Sequence, residues 1–366
     1  MKVLLLSSFG DPKDSKLWSG TPENIYRRLI TLSNVEVETD NILQFNWINK
    51  FIIGLEIVFG LDLRRSKLRN FVTNLFLLIK YKSKLNLYEQ VLFFDTVANP
   101  GVLQNTSSPT KLSLILDSTV AQWRSETEWG VKANSRIVRR RMKYEQKVLR
   151  AFTNFYSLSI QASNSLVDDF DIAESKITRV RTGAGQPLTQ IQPPKVMTEK
   201  KQISLLTIAK GEHWRKGVDL LFQSLSFDTV EDIKELNALL GSNYKQSVPN
   251  KVNSIGLVSL KELIQFYNSA DIFVLPCRFE PYGLVFVEAV QMGLPIVTTA
   301  NSGLGREFVE AGWPGAIVDL DPRSIFQGIL NAKDQIYSAG EAIENLQTEI
   351  LSLFDWNQLT LDIISA

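Results

Sequence analysis

Short apolar runs recur along the chain, each closing on a small or polar residue. They are Lys2–Ser8, Val91–Phe94, Leu112–Leu116, Phe155–Ile160, Ile177–Val180, Ile203–Ile208, Glu235–Gly241, Ser254–Ser259, Ile272–Leu275 and Pro295–Thr299. Runs this short and continuous read as strands buried on both faces, as in parallel sheets. Between them apolar residues fall three and four apart, the helical period. Thr21 as N-cap and Pro22 at the first turn predict a helix carrying Ile25, Tyr26, Leu29 and Ile30. Further helices are predicted over 136–150, Val218–Leu225 and Leu284–Met292. Strands alternating with helices predict an α/β protein with doubly wound parallel sheets. The proline-marked stretch Pro187–Pro194 predicts a linker, with a first domain over 1–190 and a second over 191–350.

The densest pattern runs from Ala270 to Gly312. A strand ends at Pro276, and a turn carries Glu280, Tyr282 and Gly283. A helix begins at Leu284 and holds Glu288, Gly293 and Pro295 end it, and a strand leads into a glycine loop over Asn301–Gly305. Strand, polar turn, helix, strand and glycine loop make half of a nucleotide-binding unit. Gly283 lets backbone approach a ligand, and free N–H groups at a helix start, here around Tyr282, Gly283 and Leu284, attract phosphate. One carboxylate of the Glu280–Glu288 pair can take sugar hydroxyls and the other a ribose. The plain alternative is a surface Glu and a helix that only closes a sheet.

Composition narrows the classes. The 366 residues suit two domains, and 44% hydrophobic with 22% charged residues is an ordinary globular balance. The lone Cys277 excludes an internal disulfide and fits a packing role in a reducing cytosol. The lone His213 argues against a histidine metal site or a Ser-His-Asp triad, and no metal-ligand cluster is evident. Neither a signal peptide nor a run of transmembrane length is seen, so a cytoplasmic location is expected. Residues 1–195 hold 27 Lys+Arg and 18 Asp+Glu, net +9, and the rest nets −8. That asymmetry predicts an anionic surface or acceptor for the first half. Within it, Phe45–Phe59 and Leu75–Ile79 are apolar beside Arg64, Arg65, Lys67, Arg69, Lys80, Lys82 and Lys84. Arg136, Arg140, Lys143, Lys147 and Arg150 line one helix face, while Ile137, Met142, Val148 and Leu149 turn to the core. Such faces could rest peripherally on a membrane or simply be solvated.

Pro276, Glu280, Gly283, Glu288, Gly293, Pro295, Gly303 and Glu307 together resemble the signature of the retaining family-4 glycosyltransferases of the GT-B fold. The likeness is dense over 203–320 and patchy before it. It implies two Rossmann-like domains facing across a cleft, with the acceptor held by the first and a nucleotide-sugar (UDP-, GDP- or ADP-sugar) by the second. The nucleotide-sugar would be a co-substrate, with no tightly bound cofactor, no metal and no nucleic-acid partner. The implied reaction is transfer of a hexosyl group to a glycan, lipid-linked or small-molecule acceptor with retention, as in polysaccharide or glycolipid synthesis. By the same resemblance Gly20 and Thr21 meet the donor diphosphate, Arg215 and Lys216 neutralise it, Glu280 orients the donor sugar, Glu288 holds the ribose and Leu257 touches the base. Asp117, in Asp117-Ser118-Thr119, stands where many members have a histidine at the donor sugar. Thr182–Gly185 resembles the turn near the linker, and Trp356 the tryptophan before a last helix, over 351–366, that crosses back to the first domain. Two alternatives stay open: a non-catalytic nucleotide-sugar-binding subunit, or a sugar-nucleotide epimerase on this fold.

Overall fold

The computed structural model describes residues 1–43, 67–103, 109–123, 136–185, 191–196, 202–242, 244–336 and 341–365. The chain divides into unit 1 (Met1–Arg181 with Trp356–Ala366) and unit 2 (Thr182–Asp355).

Unit 1 is built on β1 (Lys2–Ser7), β2 (Glu36–Asn41), β3 (Gln90–Phe93), β4 (Lys111–Leu116), β5 (Asn154–Ser157) and β6 (Ile177–Arg179). They form one parallel sheet in the order β2-β1-β3-β4-β5-β6. Its helices are α1 (Thr21–Leu29), α2 (Lys67–Tyr81), α3 (Val120–Trp123), α4 (Arg136–Leu149) and α5 (Ile160–Asp168). Leu4, Leu6, Val91, Phe93, Leu114 and Phe155 point from the strands into a core closed by Leu77, Val148 and Phe152. Each such side chain, fully buried, contributes about 1.5–3 kcal/mol. The strand β2 escapes hydrophobic pattern reading because it is an edge strand of sequence EVETDN. Polar contacts hold it instead. Lys2 pairs with Glu36 and Glu38 at 2.9 and 2.7 Å, and the hydroxyls of Tyr88 and Tyr81 donate to Glu38 and Asp40.

The predicted start of α1 shifts by one residue. Gly20, not Thr21, is the N-cap, with φ 83°, and Trp18 and Ser19 before it also have positive φ, 45° and 54°. A left-handed turn therefore delivers the chain to the helix, and Thr21 is its first residue. In α4 the expected division holds where it is described: Val148 and Leu149 are buried, Met142 packs on the core, and Arg140, Lys143, Lys147 and Arg150 are exposed. Phe45–Phe59, Arg64, Arg65, the side chains of Lys67, Arg136 and Ile137, and residues 187–190 of the predicted linker lie outside the described residues.

Unit 2 repeats the plan with β7 (Ile203–Ile208), β8 (Ile233–Leu239), β9 (Val252–Ile255), β10 (Ile272–Leu275), β11 (Ile296–Thr299) and β12 (Gly315–Val318). The order is β12-β11-β10-β7-β8-β9, again all parallel. Its helices are α6 (Val218–Ser224), α7 (Leu260–Ser269), α8 (Leu284–Gln291), α9 (Gly303–Glu310), α10 (Pro322–Ile336) and α11 (Glu341–Leu353). A last helix, α12 (Trp356–Ser365), clusters with unit 1, where Tyr156 donates its hydroxyl to the Ile363 carbonyl. Two expectations are corrected. The run Ser254–Ser259 is not one strand, because β9 stops at Ile255 and Ser259 forms a capping box with Glu262 that starts α7. The glycine loop Asn301–Gly305 is a loop only to Ser302, whose hydroxyl caps α9 at the Arg306 N–H. In each case a serine side chain satisfies an orphan helix donor, which favours helix over extended chain.

Chain direction across each sheet reverses at one place, between β1 and β3 in unit 1 and between β7 and β10 in unit 2. The loops leaving the carboxyl ends of those strands diverge there and open a crevice.

Candidate active site

In unit 2 the crevice collects the loop after β7 and the turn after β10. Gly217 makes their close approach possible: a Cβ there would lie 2.0 Å from the Pro276 carbonyl oxygen, and its φ is 71°. Arg215 and Lys216, just before it, reach Glu280 on the opposite turn. Lys216 Nζ is 3.1 Å and an Arg215 terminal nitrogen 3.3 Å from Glu280 Oε2. Arg215 also donates to Glu212 Oε2 at 2.9 and 2.7 Å and to the Phe279 carbonyl. Burial opposes ionisation of Glu280, but Lys216 and Arg215 outweigh it and hold its carboxyl below the usual range. Arg215 shows the mirror effect, since burial opposes its charge and Glu280 and Glu212 more than restore it. The result is a charged, tightly paired triad at the switch point.

The turn itself is clamped from two sides. Glu280 N–H donates to Asn301 O, Gly303 N–H to Glu280 O and Leu304 N–H to Tyr282 O, so the Glu280 turn and the start of α9 are zipped together. Arg278 forks onto Asp219 at 2.7 and 2.8 Å and lies over the Trp214 ring at 4.3 Å. Nothing local in the sequence signalled Arg278, because its partner is 59 residues away. Gly283 then begins α8 with φ 89° and no side-chain cap. The Phe286 N–H turns back to the Gly283 carbonyl at 3.0 Å, and a helix start without a side-chain cap favours an anion in front of it.

Glu288 sits one turn into α8, buried, and accepts the Tyr267 hydroxyl at 2.7 Å. Burial and Glu288 together raise Tyr267 well above an ordinary tyrosine, so the hydroxyl stays protonated and donating. The turn Thr182–Gly185 lies against the same helix. Tyr282 accepts from the Thr182 N–H and meets its hydroxyl at 2.9 and 3.0 Å, and a Cβ on Gly185 would stand 3.2 Å from Glu288 Oε1. Tyr282 thus acts first as a brace. Leu257 follows the edge strand β9 and is exposed, two strands from the switch point. His213 bonds the Leu240 carbonyl at 2.8 Å, and Cys277 is fully buried with its thiol pushed up to about 12 by burial. Among the described residues no group of three or more His, Cys, Asp or Glu side chains is placed to hold a metal.

Unit 1 has its own crevice, a cavity of about 360 Å³ at the ends of β1, β3 and β4. Trp18, Phe94, Asp95, Asp117, Trp123 and Glu145 are among its walls. Trp18 Nε1 donates to Asp117 Oδ2 at 3.3 Å, so Asp117 and the turn at Gly20 meet in one place. Residues 202–334 match the family model described as Glycosyl transferases group 1. That match lies wholly within unit 2.

Over a longer span the chain is 23% identical to glycogen synthase of Mycobacterium tuberculosis, along 219 residues that make up 58% of this chain and 53% of that protein. It spans between about a third and about half of the length of the first curated relatives it matches. Sucrose-phosphate synthase from Thermosynechococcus elongatus superposes with a TM-score of 0.75 at 17% identity, covering 100% of this chain and 98% of that one. Anabaena Alr3699/HepE in complex with UDP-glucose superposes with a TM-score of 0.65 at 14% identity, covering 100% and 99%. The fold is therefore GT-B, two six-stranded parallel Rossmann-like units.

Proposed function

We propose that this chain is a group 1 glycosyl transferase that moves a sugar from a nucleotide-sugar to an acceptor with retention at the anomeric carbon. The observation that carries the reading is the Arg215–Lys216–Glu280 triad beside the uncapped start of α8. A diphosphate there meets two cations and a helix N-terminus, which neutralise the charge that grows on it as the glycosidic bond breaks. Glu280 orients the donor sugar, and Glu288, fixed by Tyr267, takes the ribose. With no nucleophile required, the acceptor attacks from the leaving-group face and the departing phosphate takes its proton. Leu257 touches the base, and Gly20, Thr21 and Asp117 of unit 1 are assigned to donor binding as well. The UDP-glucose complex of a protein with this fold supports a nucleotide-sugar as co-substrate.

Release of sugar or nucleoside diphosphate from a panel of UDP-, GDP- and ADP-hexoses tests the proposal, and no turnover of any donor would sink it. One observation favours a binding-only subunit: both cations are already paired with carboxylates. Nucleoside diphosphate binding without turnover is the outcome that would establish that reading.

The outer face of unit 1 suits an anionic membrane surface. Phe71, Leu75 and Ile79 line an exposed stripe of α2, and Asn74 reaches Tyr144 of α4, whose outer face carries Arg140, Lys143, Lys147 and Arg150. Apolar side chains beside cations bind such surfaces in a salt-sensitive way. No helix among the described residues is long and apolar enough to cross a membrane. Sedimentation with phosphatidylserine vesicles at low but not high salt is expected, and its absence at low salt would leave the face solvated.

A further inference from the structure

The two cations of the triad stand on a loop whose shape is held from outside as well as from within. Between β7 and α6 the backbone takes a positive φ at Gly211 (94°), Glu212 (50°) and Gly217 (71°). Glu212 carries a side chain, so its conformation costs free energy and persists only where surrounding groups over-determine it. Within the loop the Lys216 N–H donates to the Glu212 carbonyl at 3.1 Å and the Gly217 N–H to the Trp214 carbonyl at 3.0 Å. Much further support comes from one residue of the opposite turn. We propose that Arg278 is a positioning residue: it fixes the loop that carries Arg215 and Lys216, and so sets where both cations meet a donor diphosphate. The part played by the diphosphate rests on the glycosyltransferase reading above, whereas the hold on the loop does not.

Three observations carry the inference. First, Arg278 grips the loop by backbone and side chain together. Its N–H donates to the Arg215 carbonyl at 2.7 Å and its guanidinium to the Trp214 carbonyl, the two carbonyls that immediately precede Lys216. Second, the guanidinium is itself fixed. It forks onto both oxygens of Asp219, in the first turn of α6, at 2.7 and 2.8 Å, and lies over the Trp214 ring at 4.3 Å. A planar fork sets direction as well as distance, which an ammonium does not. Arg278 thus ties the middle of the loop to the helix that follows it.

Third, Arg278 stands apart from the triad's own charges. Glu280 pairs with Lys216 and Arg215, while the Arg278 side chain is committed to Asp219 and Trp214. Its influence therefore passes through the loop and not through the reacting atoms. Fixed charges stabilise a transition state because they need no reorganisation as charge develops, and small misplacements are costly in rate.

The experiment compares Arg278→Ala, Asp219→Asn and Lys216→Ala, singly and in pairs, in the full chain. Steady-state kinetics use whichever UDP-, GDP- or ADP-hexose the wild type turns over, well below the melting temperature of every variant. Arg278→Ala and Asp219→Asn are each expected to lower kcat about tenfold and to change KM less than about threefold, a split that general loosening of the fold does not produce. Added to Lys216→Ala, Arg278→Ala is expected to lower kcat by at most about threefold, because one of the cations it positions is already gone. Thermal melts without ligand read the same hold. The losses from Arg278→Ala and Glu280→Gln are expected to fall short of additivity by about 2 °C or more, since a loosened loop leaves Glu280 less to lose. Asp219→Asn keeps the shape of its side chain and carries both tests where Arg278→Ala does not fold. Wild-type kcat, a change confined to KM, full multiplication with Lys216→Ala, or additive melting losses would overturn the proposal. A wild type that turns over no donor would instead sink the glycosyltransferase reading, and the melts would then decide the hold on the loop alone.

Discussion

Replacing Glu280 by Gln keeps the shape of the side chain and removes only its charge. In the folded protein that charge faces Lys216 at 3.1 Å and Arg215 at 3.3 Å, with side chains 16%, 7% and, for Glu280 itself, 12% exposed. At an effective dielectric constant of about 20 each contact has a gross attraction of roughly 5 kcal/mol, most of it offset by the several kcal/mol needed to desolvate each ion. Removing one partner of a buried pair generally costs about 3–5 kcal/mol. Here Arg215 keeps Glu212, so a loss of about 2 kcal/mol is expected for Glu280→Gln. For a domain of this size that lowers the melting temperature by about 4–8 °C. The sign with pH follows from the direction of the shift. The folded carboxyl lies below its usual range, so its stabilisation is complete above the unfolded pKa and is lost as pH falls through the folded one. The gap between wild type and variant in calorimetric melts is therefore largest near neutral pH and closes in strong acid. Titration with UDP gives a second readout, because Lys216 is released to the phosphates while Arg215 stays on Glu212: binding holds or tightens while turnover falls. A neutral-pH melting temperature equal to wild type, together with weaker UDP binding, would refute the triad as described.

Lys216→Ala is expected to lower turnover roughly 100-fold, with a smaller rise in the Michaelis constant, because its charge gains most as the diphosphate leaves. Steady-state kinetics in which only the Michaelis constant moves would make Lys216 a ground-state ligand. Glu288→Ala is expected to weaken nucleoside diphosphate binding by about 1–3 kcal/mol, and wild-type affinity by calorimetry would remove it from the ribose role. Gly217→Ala forces a Cβ to within 2.0 Å of the Pro276 oxygen at φ 71°, so it should destabilise unit 2 by about 3 kcal/mol or more. An unchanged denaturation midpoint would mean that the two loops can part.

Much of unit 2 was legible because its determinants are local. The strand Ile272–Leu275 is a continuous apolar run, Gly283 can take the left-handed turn that starts α8, and the two together place the Glu280 turn at a strand end. Buried parallel strands need no distant partner to be recognised, since both faces are apolar. What local pattern could not supply was anything decided by pairing across the fold. The edge strand β2 is held by Lys2, Tyr81 and Tyr88 from elsewhere in the chain, so its polar sequence reads as loop. Arg278 finds Asp219, and Glu288 finds Tyr267, only after the strands order the sheet. The engagement of Arg215 and Lys216 with Glu280, and the gathering of Asp95, Asp117 and Glu145 around one cavity of a basic half-chain, likewise exist only in three dimensions. Net charge adds over a sequence, but a ligand meets the few groups that folding turns toward it, and their field depends on distance and burial rather than on the total.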